Sequence, residues 1–161
     1  MALAVGAIVA AGGAAQASPS IQTFTYYEVV ARHSGKCLSV QSGSLSNGAN
    51  GVQNPCTAAQ YQQWRLQDLG GGYFEIIAAH SGKCLDVEGA GQAFGTNTQQ
   101  YTCHGAFNQQ WQRVNLAGGY TRFVARHSGM CLTVDNASQG NNIDIHQEPC
   151  SNAFSKQWLL R

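Results

Sequence analysis

The stretch HSGKCLDV at residues 80–87 decides the fold, because two further copies occur in the chain, HSGKCLSV at 33–40 and HSGMCLTV at 127–134. The histidines that open these copies lie 47 residues apart, and the same offset superposes residues outside the motif. The superposed sets are Tyr26, Tyr73 and Tyr120; Cys37, Cys84 and Cys131; Cys56, Cys103 and Cys150; and Trp64, Trp111 and Trp158. A fixed period is the signature of a repeat architecture. We therefore divide the chain into repeat 1 (21–67), repeat 2 (68–114) and repeat 3 (115–161).

Each repeat contains short segments that are typical of β-strands. The segments YYEVVARH, YFEIIAAH and YTRFVARH carry β-branched and aromatic residues and are followed by a Ser-Gly turn and then CLSV, CLDV or CLTV. Gly-rich and Asn-rich loops such as SGSLSNGANG separate these segments, and no segment shows a sustained helical period. A β-propeller needs at least about four blades. Three repeats therefore predict one closed, barrel-like, all-β unit.

The composition favours a single globular domain, at residues 18–161, and argues against nucleic acid as a partner. The chain has 161 residues, 43% of them hydrophobic, and a formal charge of +1. Only 11% of the residues are charged, and the nine Lys and Arg residues are scattered. A nucleic-acid-binding protein normally concentrates basic residues on one face.

Residues 1–17, MALAVGAIVAAGGAAQA, are expected to act as a signal peptide. The run is apolar and ends in Ala15-Gln16-Ala17, a small-x-small pattern that suits signal peptidase. A membrane-spanning helix needs about 20 apolar residues, so we expect no membrane insertion. Because no Lys or Arg precedes the apolar run, a longer leader upstream of Met1 is an open alternative. The pattern predicts a secreted, extracellular protein.

Six cysteines, two in each repeat and nineteen positions apart, also fit export. A three-fold repeat favours the same bridge in every copy, either within a repeat or between neighbours. We predict the disulfides Cys37–Cys56, Cys84–Cys103 and Cys131–Cys150. No CxxC or HxxxH spacing occurs, so we expect neither a metal site nor another cofactor.

These repeats resemble the ricin-type β-trefoil lectins and carbohydrate-binding modules. The resemblance covers residues 21–161 and rests on the three CLDV-like motifs, one cysteine pair per repeat and three QxW motifs. The QxW motif reads QQW at 62–64 and 109–111 but KQW at 156–158. Membership of that family implies a β-trefoil of twelve short strands, four per repeat. It also implies that the Trp of QxW and the Leu and Val of CLxV pack in a shared core.

The repeated histidines His33, His80 and His127 are interpreted as structural residues. Each stands in the same register beside a Ser-Gly turn. We expect them to form hydrogen bonds at strand ends rather than to act in catalysis.

The resemblance implies one sugar-binding site, in repeat 2. In the family, the residue after CL in a working repeat is an Asp that accepts hydrogen bonds from two adjacent sugar hydroxyls, and Asp86 stands there. A carboxylate offers two oxygens and about four acceptor sites. Tyr101 would stack on the sugar ring, Asn108 would share a hydroxyl with Asp86, His104 would add a polar contact, and Gln109 would steady the Asp86 side chain. Alternatively, Tyr101 is a packing residue, Asn108 a turn residue and His104 a surface residue.

The equivalent positions in the other repeats lack both the acidic acceptor and the stacking ring. Repeat 1 has Ser39, Asn54, Thr57 and Tyr61, and repeat 3 has Thr133, Glu148, Ser151 and Ser155, with Lys156 in place of the supporting Gln. A differently built site in repeat 3 would use Asp135, Asp144, His146 and Glu148, although a solvated acidic loop is the favoured interpretation.

The leading functional hypothesis is a secreted, non-catalytic protein that binds a galactose-like or xylose-like sugar. A protein-interaction or inhibitor module on the same scaffold is the alternative. Enzymatic activity is not expected, because glycoside hydrolysis needs two facing carboxylates and the nearest pair, Asp86 and Glu88, has no supporting pattern. The exact sugar and the oligomeric state stay open.

Overall fold

Twelve short strands, four in each repeat, build residues 13–161, the part of the chain that the computed structural model describes. Seven single-turn 3-10 segments connect them, and these described residues contain no α-helix. The strands are β1 (Val29–Ala31), β2 (Cys37–Val40), β3 (Gly51–Asn54), β4 (Trp64–Gly70), β5 (Tyr73–Ala78), β6 (Cys84–Val87), β7 (Thr98–Tyr101), β8 (Trp111–Asn115), β9 (Thr121–Ala125), β10 (Cys131–Val134), β11 (Ile143–Glu148) and β12 (Trp158–Leu160).

Six of the strands form a closed antiparallel barrel. The order around it is β1, β12, β9, β8, β5 and β4. The ring closes where Tyr27 and Trp64 exchange two backbone hydrogen bonds of 2.9 Å each. Closure pairs the strand edges with each other and so removes them as sites of aggregation.

The other six strands form three hairpins outside the barrel, β2–β3, β6–β7 and β10–β11. Strands β3 and β11 pair directly, and single bridges join Asn50 to Gln99 and Asn97 to His146. The fold is therefore the β-trefoil that the sequence predicts. Strand β4 runs through the boundary at 67/68, so the predicted repeats do not end between strands.

The core contains the residues that the repeats share. Each tryptophan is fully buried, and its indole N–H donates to the backbone carbonyl of the Leu in the CLxV motif of the same repeat. The pairs are Trp64 with Leu38 at 2.9 Å, Trp111 with Leu85 at 3.0 Å and Trp158 with Leu132 at 3.1 Å. The bond satisfies a buried donor that would otherwise be costly, which explains why the position holds Trp in all three repeats.

The three histidines connect neighbouring repeats. Each Nε2 lies 2.9 Å from a backbone carbonyl oxygen in a loop of another repeat. The pairs are His33 with Ser138, His80 with Ser44 and His127 with Gly91. The expectation that they are structural hydrogen-bonding residues is confirmed.

The three predicted disulfides are present, each within one repeat: Cys37–Cys56, Cys84–Cys103 and Cys131–Cys150. No cysteine of residues 13–161 is left unpaired. Each bridge ties the first residue of a CLxV strand to the segment that follows the partner strand of its hairpin.

Most of the predicted signal peptide, residues 1–12, lies outside the described residues, and residues 13–17 have no regular secondary structure. Nowhere in residues 13–161 is a helix long and apolar enough to cross a membrane.

Candidate functional site

The predicted site residues of repeat 2 lie around one cavity of about 480 Å³ beside the β6–β7 hairpin. Its floor is the CLDV strand β6, and its rim includes the turn at Glu88–Ala90. Gly89 and Ala90 have φ values of 57° and 51°, so the chain leaves β6 through two successive left-handed residues and curls around the opening. The lining residues are Asp86, Gly89, Ala90, Gln99, Tyr101, His104 and Asn108. This volume is in the range of small-ligand pockets, about 300–1,000 Å³.

Asp86 is the centre of a hydrogen-bond network. Its side chain is buried, with the residue 2% exposed, and it accepts three bonds from side-chain amides. The donors are Gln99 Nε2 to Oδ1 at 3.0 Å, and Asn108 Nδ2 and Gln109 Nε2 to Oδ2 at 2.9 and 3.0 Å. A buried carboxylate without such partners would be strongly disfavoured.

These amides limit what the carboxylate can still accept. Of about four acceptor sites on a carboxylate, three are occupied, so one remains for a ligand hydroxyl. Gln99 is only half-buried and lines the cavity. Rotation of its side chain would free a second acceptor position, on Oδ1, for the adjacent hydroxyl.

Gln109 fastens the loop after β7 to Asp86. It is fully buried, and its Oε1 accepts the backbone N–H of His104 at 2.9 Å. Its Nε2 donates to the Thr102 carbonyl at 3.0 Å as well as to Asp86. The side chain therefore holds the carboxylate and the segment carrying His104 in a fixed relation, which is the supporting role predicted for it.

Asn108 offers an acceptor to the cavity. Both bonds made by its Nδ2 are internal, one to Asp86 and one of 3.0 Å to the Val87 carbonyl. Its Oδ1 has no partner among residues 13–161. A sugar hydroxyl between Asn108 and Asp86 would meet two acceptors. It would therefore donate its proton to one of them and accept a hydrogen bond from neither.

Tyr101 and His104 form the wall of the cavity. The Tyr101 residue is 40% exposed, and its ring meets that of His104 edge-on, with centroids 6.0 Å apart. The Ala106 N–H donates to His104 Nδ1 at 3.3 Å, so neutral His104 carries its proton on Nε2. That nitrogen lies 3.5 Å from Asp86 Oδ2. His104 thus presents a donor beside the carboxylate, and Tyr101 leaves a ring exposed next to it.

The sequence interpretation missed Gln99, which pairs with Asp86 across the β6–β7 hairpin. The signal was weak, because ten residues separate β6 from β7 and a loop of that length does not fix the strand register. Without the register, the residue opposite Asp86 is undetermined. The equivalent positions hold Val52 and His146, so no repeat pattern marks Gln99 either.

The repeat 1 cavity has a similar frame but no charge. It measures about 360 Å³, and its lining includes Asn54, Thr57, Tyr61 and Gln62. Gln62 takes the place of Gln109 and donates to Ser39 Oγ at 2.8 Å, while its Oε1 accepts the Thr57 N–H at 2.8 Å. Repeat 1 therefore keeps the supporting glutamine of repeat 2, but this glutamine holds the Ser39 hydroxyl instead of a carboxylate.

Repeat 3 has an ion-pair cluster in place of two site residues of repeat 2. Lys156 occupies the position of Gln109, and Glu148 occupies the position of Tyr101. Lys156 Nζ lies 2.7 Å from Glu148 Oε2 and donates to the Pro149 carbonyl at 2.9 Å. His146 Nε2 lies 2.8 Å from Glu148 Oε1. Because His146 and Lys156 are buried, the expectation of a solvated acidic loop is wrong for this part of it. Lys156 and His146 therefore hold the Glu148 carboxylate in this cluster, and the position of Asp86 carries only the buried hydroxyl of Thr133.

This cluster predicts a loss of stability in acid. Burial alone would raise the pKa of Glu148, but the hydrogen bonds and charges of Lys156 and His146 outweigh it and hold the pKa below its ordinary 4.5. A carboxyl with a depressed folded-state pKa stabilises the fold fully above its unfolded pKa, and this contribution disappears as pH falls through the folded value. We expect the thermal midpoint to decrease as the pH is lowered below 4.5. In Glu148→Gln the midpoint at neutral pH should already be lower, because Lys156 loses its anionic partner, and its decrease in acid should be smaller. Thermal unfolding from neutral pH to about pH 2 measures this; parallel pH profiles for the two proteins would refute it.

The chain is similar to known proteins in both sequence and structure. The sequence matches the family described as "Ricin-type beta-trefoil lectin domain-like" over residues 17–101, 60–148 and 107–161. No curated protein sequence matches the chain. The designed three-fold symmetric protein ThreeFoil is 49% identical, with a TM-score of 0.83, over 84% of this chain and 96% of that one.

Two natural proteins are also similar in structure. The exo-beta-1,3-galactanase 1,3Gal43A from Clostridium thermocellum is 35% identical, with a TM-score of 0.84, over 89% of this chain and 31% of that one. The hemolytic lectin CEL-III is 29% identical, with a TM-score of 0.71, over 83% of this chain and 29% of that one. The present chain therefore spans about a third of each of these two proteins.

Proposed function

The chain belongs to the ricin-type beta-trefoil lectin domain-like family, and from this premise we propose that it is a secreted, non-catalytic lectin that binds a galactose-like or xylose-like sugar through repeat 2. The observation that carries the proposal is the buried Asp86, held by three amides beside an exposed aromatic ring. Neither of the other repeats has this combination.

The chemistry of the cavity suits a pyranose. The Asp86 carboxylate accepts from a ligand hydroxyl, and bonds to a charged acceptor are about twice as strong as neutral ones. Asn108 Oδ1 and His104 Nε2 supply a further acceptor and a donor close by. The exposed Tyr101 ring can cover the apolar C–H face of the sugar, so both faces of an amphipathic ligand find a partner.

The galactose-like class has support from the comparison. The galactanase is named for its action on a β-1,3-linked galactose polymer, and it matches this chain at 35% identity over 89% of its length. A xylose-like sugar is kept as the second ligand to test.

Secretion is supported by the three disulfides, because such bridges persist in oxidising, extracellular environments. The apolar run at residues 1–17 would direct this export.

A non-catalytic role fits the small number of acidic side chains that line the cavity. Among the described residues that line it, Asp86 is the single acidic one, and the nearby Glu88 is exposed outside the lining. Glycoside hydrolysis uses two carboxyl groups facing one bond. The amides around Asp86 hold it as an acceptor rather than leaving it free as a base or nucleophile.

The proposal is tested by a glycan array followed by titration with galactosides, xylosides and arabinosides. A shallow site with one ring and a few hydrogen bonds should bind with a dissociation constant of about 10⁻³ to 10⁻⁴ M. Failure to bind any glycan would reject the proposal and favour an interaction module with a protein partner.

Tyr101→Ala is expected to weaken sugar binding about two- to tenfold, because aromatic contacts of this kind contribute about 0.5–1.5 kcal/mol. The thermal midpoint should hardly change, since Tyr101 is 40% exposed and is not part of the hydrophobic core. Tyr61→Ala, which removes the aromatic residue of the repeat 1 cavity, is the matched control and should leave the affinity intact. Unchanged affinity in Tyr101→Ala would remove the stacking role.

A further inference from the structure

Two arginines on the surface of the trefoil are each held between two aromatic rings. The Arg32 guanidinium carbon lies 4.2 Å from the centroid of the Tyr120 ring and 3.8 Å from that of Phe154. One of its nitrogens, Nη1, donates to Gln157 Oε1 at 2.7 Å. The second arginine makes the same contacts: Arg126 with Tyr73 at 4.3 Å, with Phe107 at 4.0 Å and with Gln110 Oε1 at 2.7 Å.

The 47-residue offset relates these two clusters and points to a third position. There, Ala79 replaces the arginine and Gln60 replaces the phenylalanine, whereas the tyrosine and the accepting glutamine are kept as Tyr26 and Gln63. The backbone frame is also kept. The Ala79 N–H donates to the Gln63 carbonyl at 2.9 Å, as the Arg32 and Arg126 N–H groups donate to Gln157 and Gln110 at 2.9 and 2.8 Å.

The missing side chains leave an open slot. Tyr26, Gln60, Gln63 and Ala79 line a cavity of about 320 Å³. The Tyr26 residue is 42% exposed, whereas its arginine-covered counterparts Tyr73 and Tyr120 are half-buried. Within residues 13–161, no hydrogen bond reaches the Gln63 side chain, although the counterparts Gln110 and Gln157 are both bonded.

We propose that this slot, defined by Tyr26, Gln60, Gln63 and Ala79, is a second binding site whose ligand is a guanidinium group, presented by an arginine side chain of a partner protein. The two filled copies show which group fits the frame. A planar cation over the Tyr26 ring gains the attraction between the positive charge and the π face. Its N–H groups can donate to Gln63 Oε1 as in the other copies, and Gln60 adds another amide oxygen at the rim.

Guanidinium suits the slot better than ammonium, because its planar fork stacks on a ring and reaches an in-plane acceptor at the same time. The slot shares no residue with the cavity around Asp86. A sugar and an arginine-bearing partner could therefore be bound together, and the inference does not depend on the proposed sugar-binding function.

The test is an NMR titration of the whole chain with N-acetyl-L-arginine amide, followed at the Tyr26 ring and the Gln63 side-chain amide. N-acetyl-L-citrulline amide, which is planar but neutral, is the matched control ligand. We expect saturable shifts with the arginine probe and at least about threefold weaker binding of the citrulline probe, because only the first carries the charge that the ring attracts. Tyr26→Leu should remove most of the arginine response.

A second variant introduces into the slot the arginine and the phenylalanine that the other two copies contain. Ala79→Arg combined with Gln60→Phe should fill it internally, abolish the response to the arginine probe and raise the thermal midpoint. The inference is overturned if the arginine probe leaves Tyr26 and Gln63 unshifted, if citrulline binds equally well, or if methyl β-galactoside shifts these residues instead.

Discussion

Asp86→Ala is expected to lower sugar affinity at least about 100-fold, because the variant loses the charge-assisted hydrogen bonds that orient the ligand. It should also lower the free energy of unfolding by about 1–3 kcal/mol, since the buried Gln109 amide would lose one of its two acceptors. Titration with the best glycan and denaturant unfolding measure the two effects separately.

Repeat 1 supplies the control for this variant. There, Ser39 occupies the position of Asp86 and accepts a 2.8 Å hydrogen bond from Gln62, the counterpart of Gln109. Asp86→Ser should therefore keep Gln109 satisfied and retain most of the stability, yet bind sugar as poorly as Asp86→Ala. If Asp86→Ser binds like the unaltered protein, the carboxylate is not the sugar acceptor.

Replacing Cys84 and Cys103 together by serine is expected to cost about 3 kcal/mol of stability, the value for a loop of this size in the chain-entropy model. For a domain of this length, the thermal midpoint should fall by roughly 6–12 °C. The sugar class should not change, because Gln109 still ties the segment carrying His104 to Asp86.

The equivalent double replacement of Cys131 and Cys150 in repeat 3 is the matched control. The Cys131–Cys150 bridge closes a loop of the same length, so its loss should cost a similar amount of stability. An unaltered thermal midpoint after the repeat 2 replacement would show that the bridge does not stabilise the fold.

The sequence predicted a closed three-fold unit because its determinants recur with one period, and the resemblance to the ricin-type lectins implied that this unit is a β-trefoil. The tryptophans, the CLxV motifs and the cysteine pairs all superpose at an offset of 47 residues, and a core built from repeated contacts needs the same residues in each copy. For the same reason, the repeat predicted one equivalent disulfide in every copy, and the structure places each bridge within its own repeat.

The features that were not predicted depend on contacts between residues that do not recur at the 47-residue period. Gln99 faces Asp86 only because of a strand register that a long loop leaves undetermined. The cluster of Glu148, Lys156 and His146 depends on how the three side chains pack together, whereas Glu148 and Lys156 taken separately resembled the loss of binding residues. The arginine stacks join a residue of one repeat to rings of another, and no motif within a repeat reveals such contacts.

The position of bound sugar would be measured most directly by residue-resolved NMR titration of the whole chain with methyl β-galactoside and methyl β-xyloside. We expect saturable shifts at Ala90, Tyr101 and the Asn108 side chain, and none at their repeat 1 equivalents Gly43, Asn54 and Tyr61. Saturable shifts centred on repeat 1 or repeat 3, with Tyr101 and Asn108 unmoved, would contradict a sugar site built around Asp86.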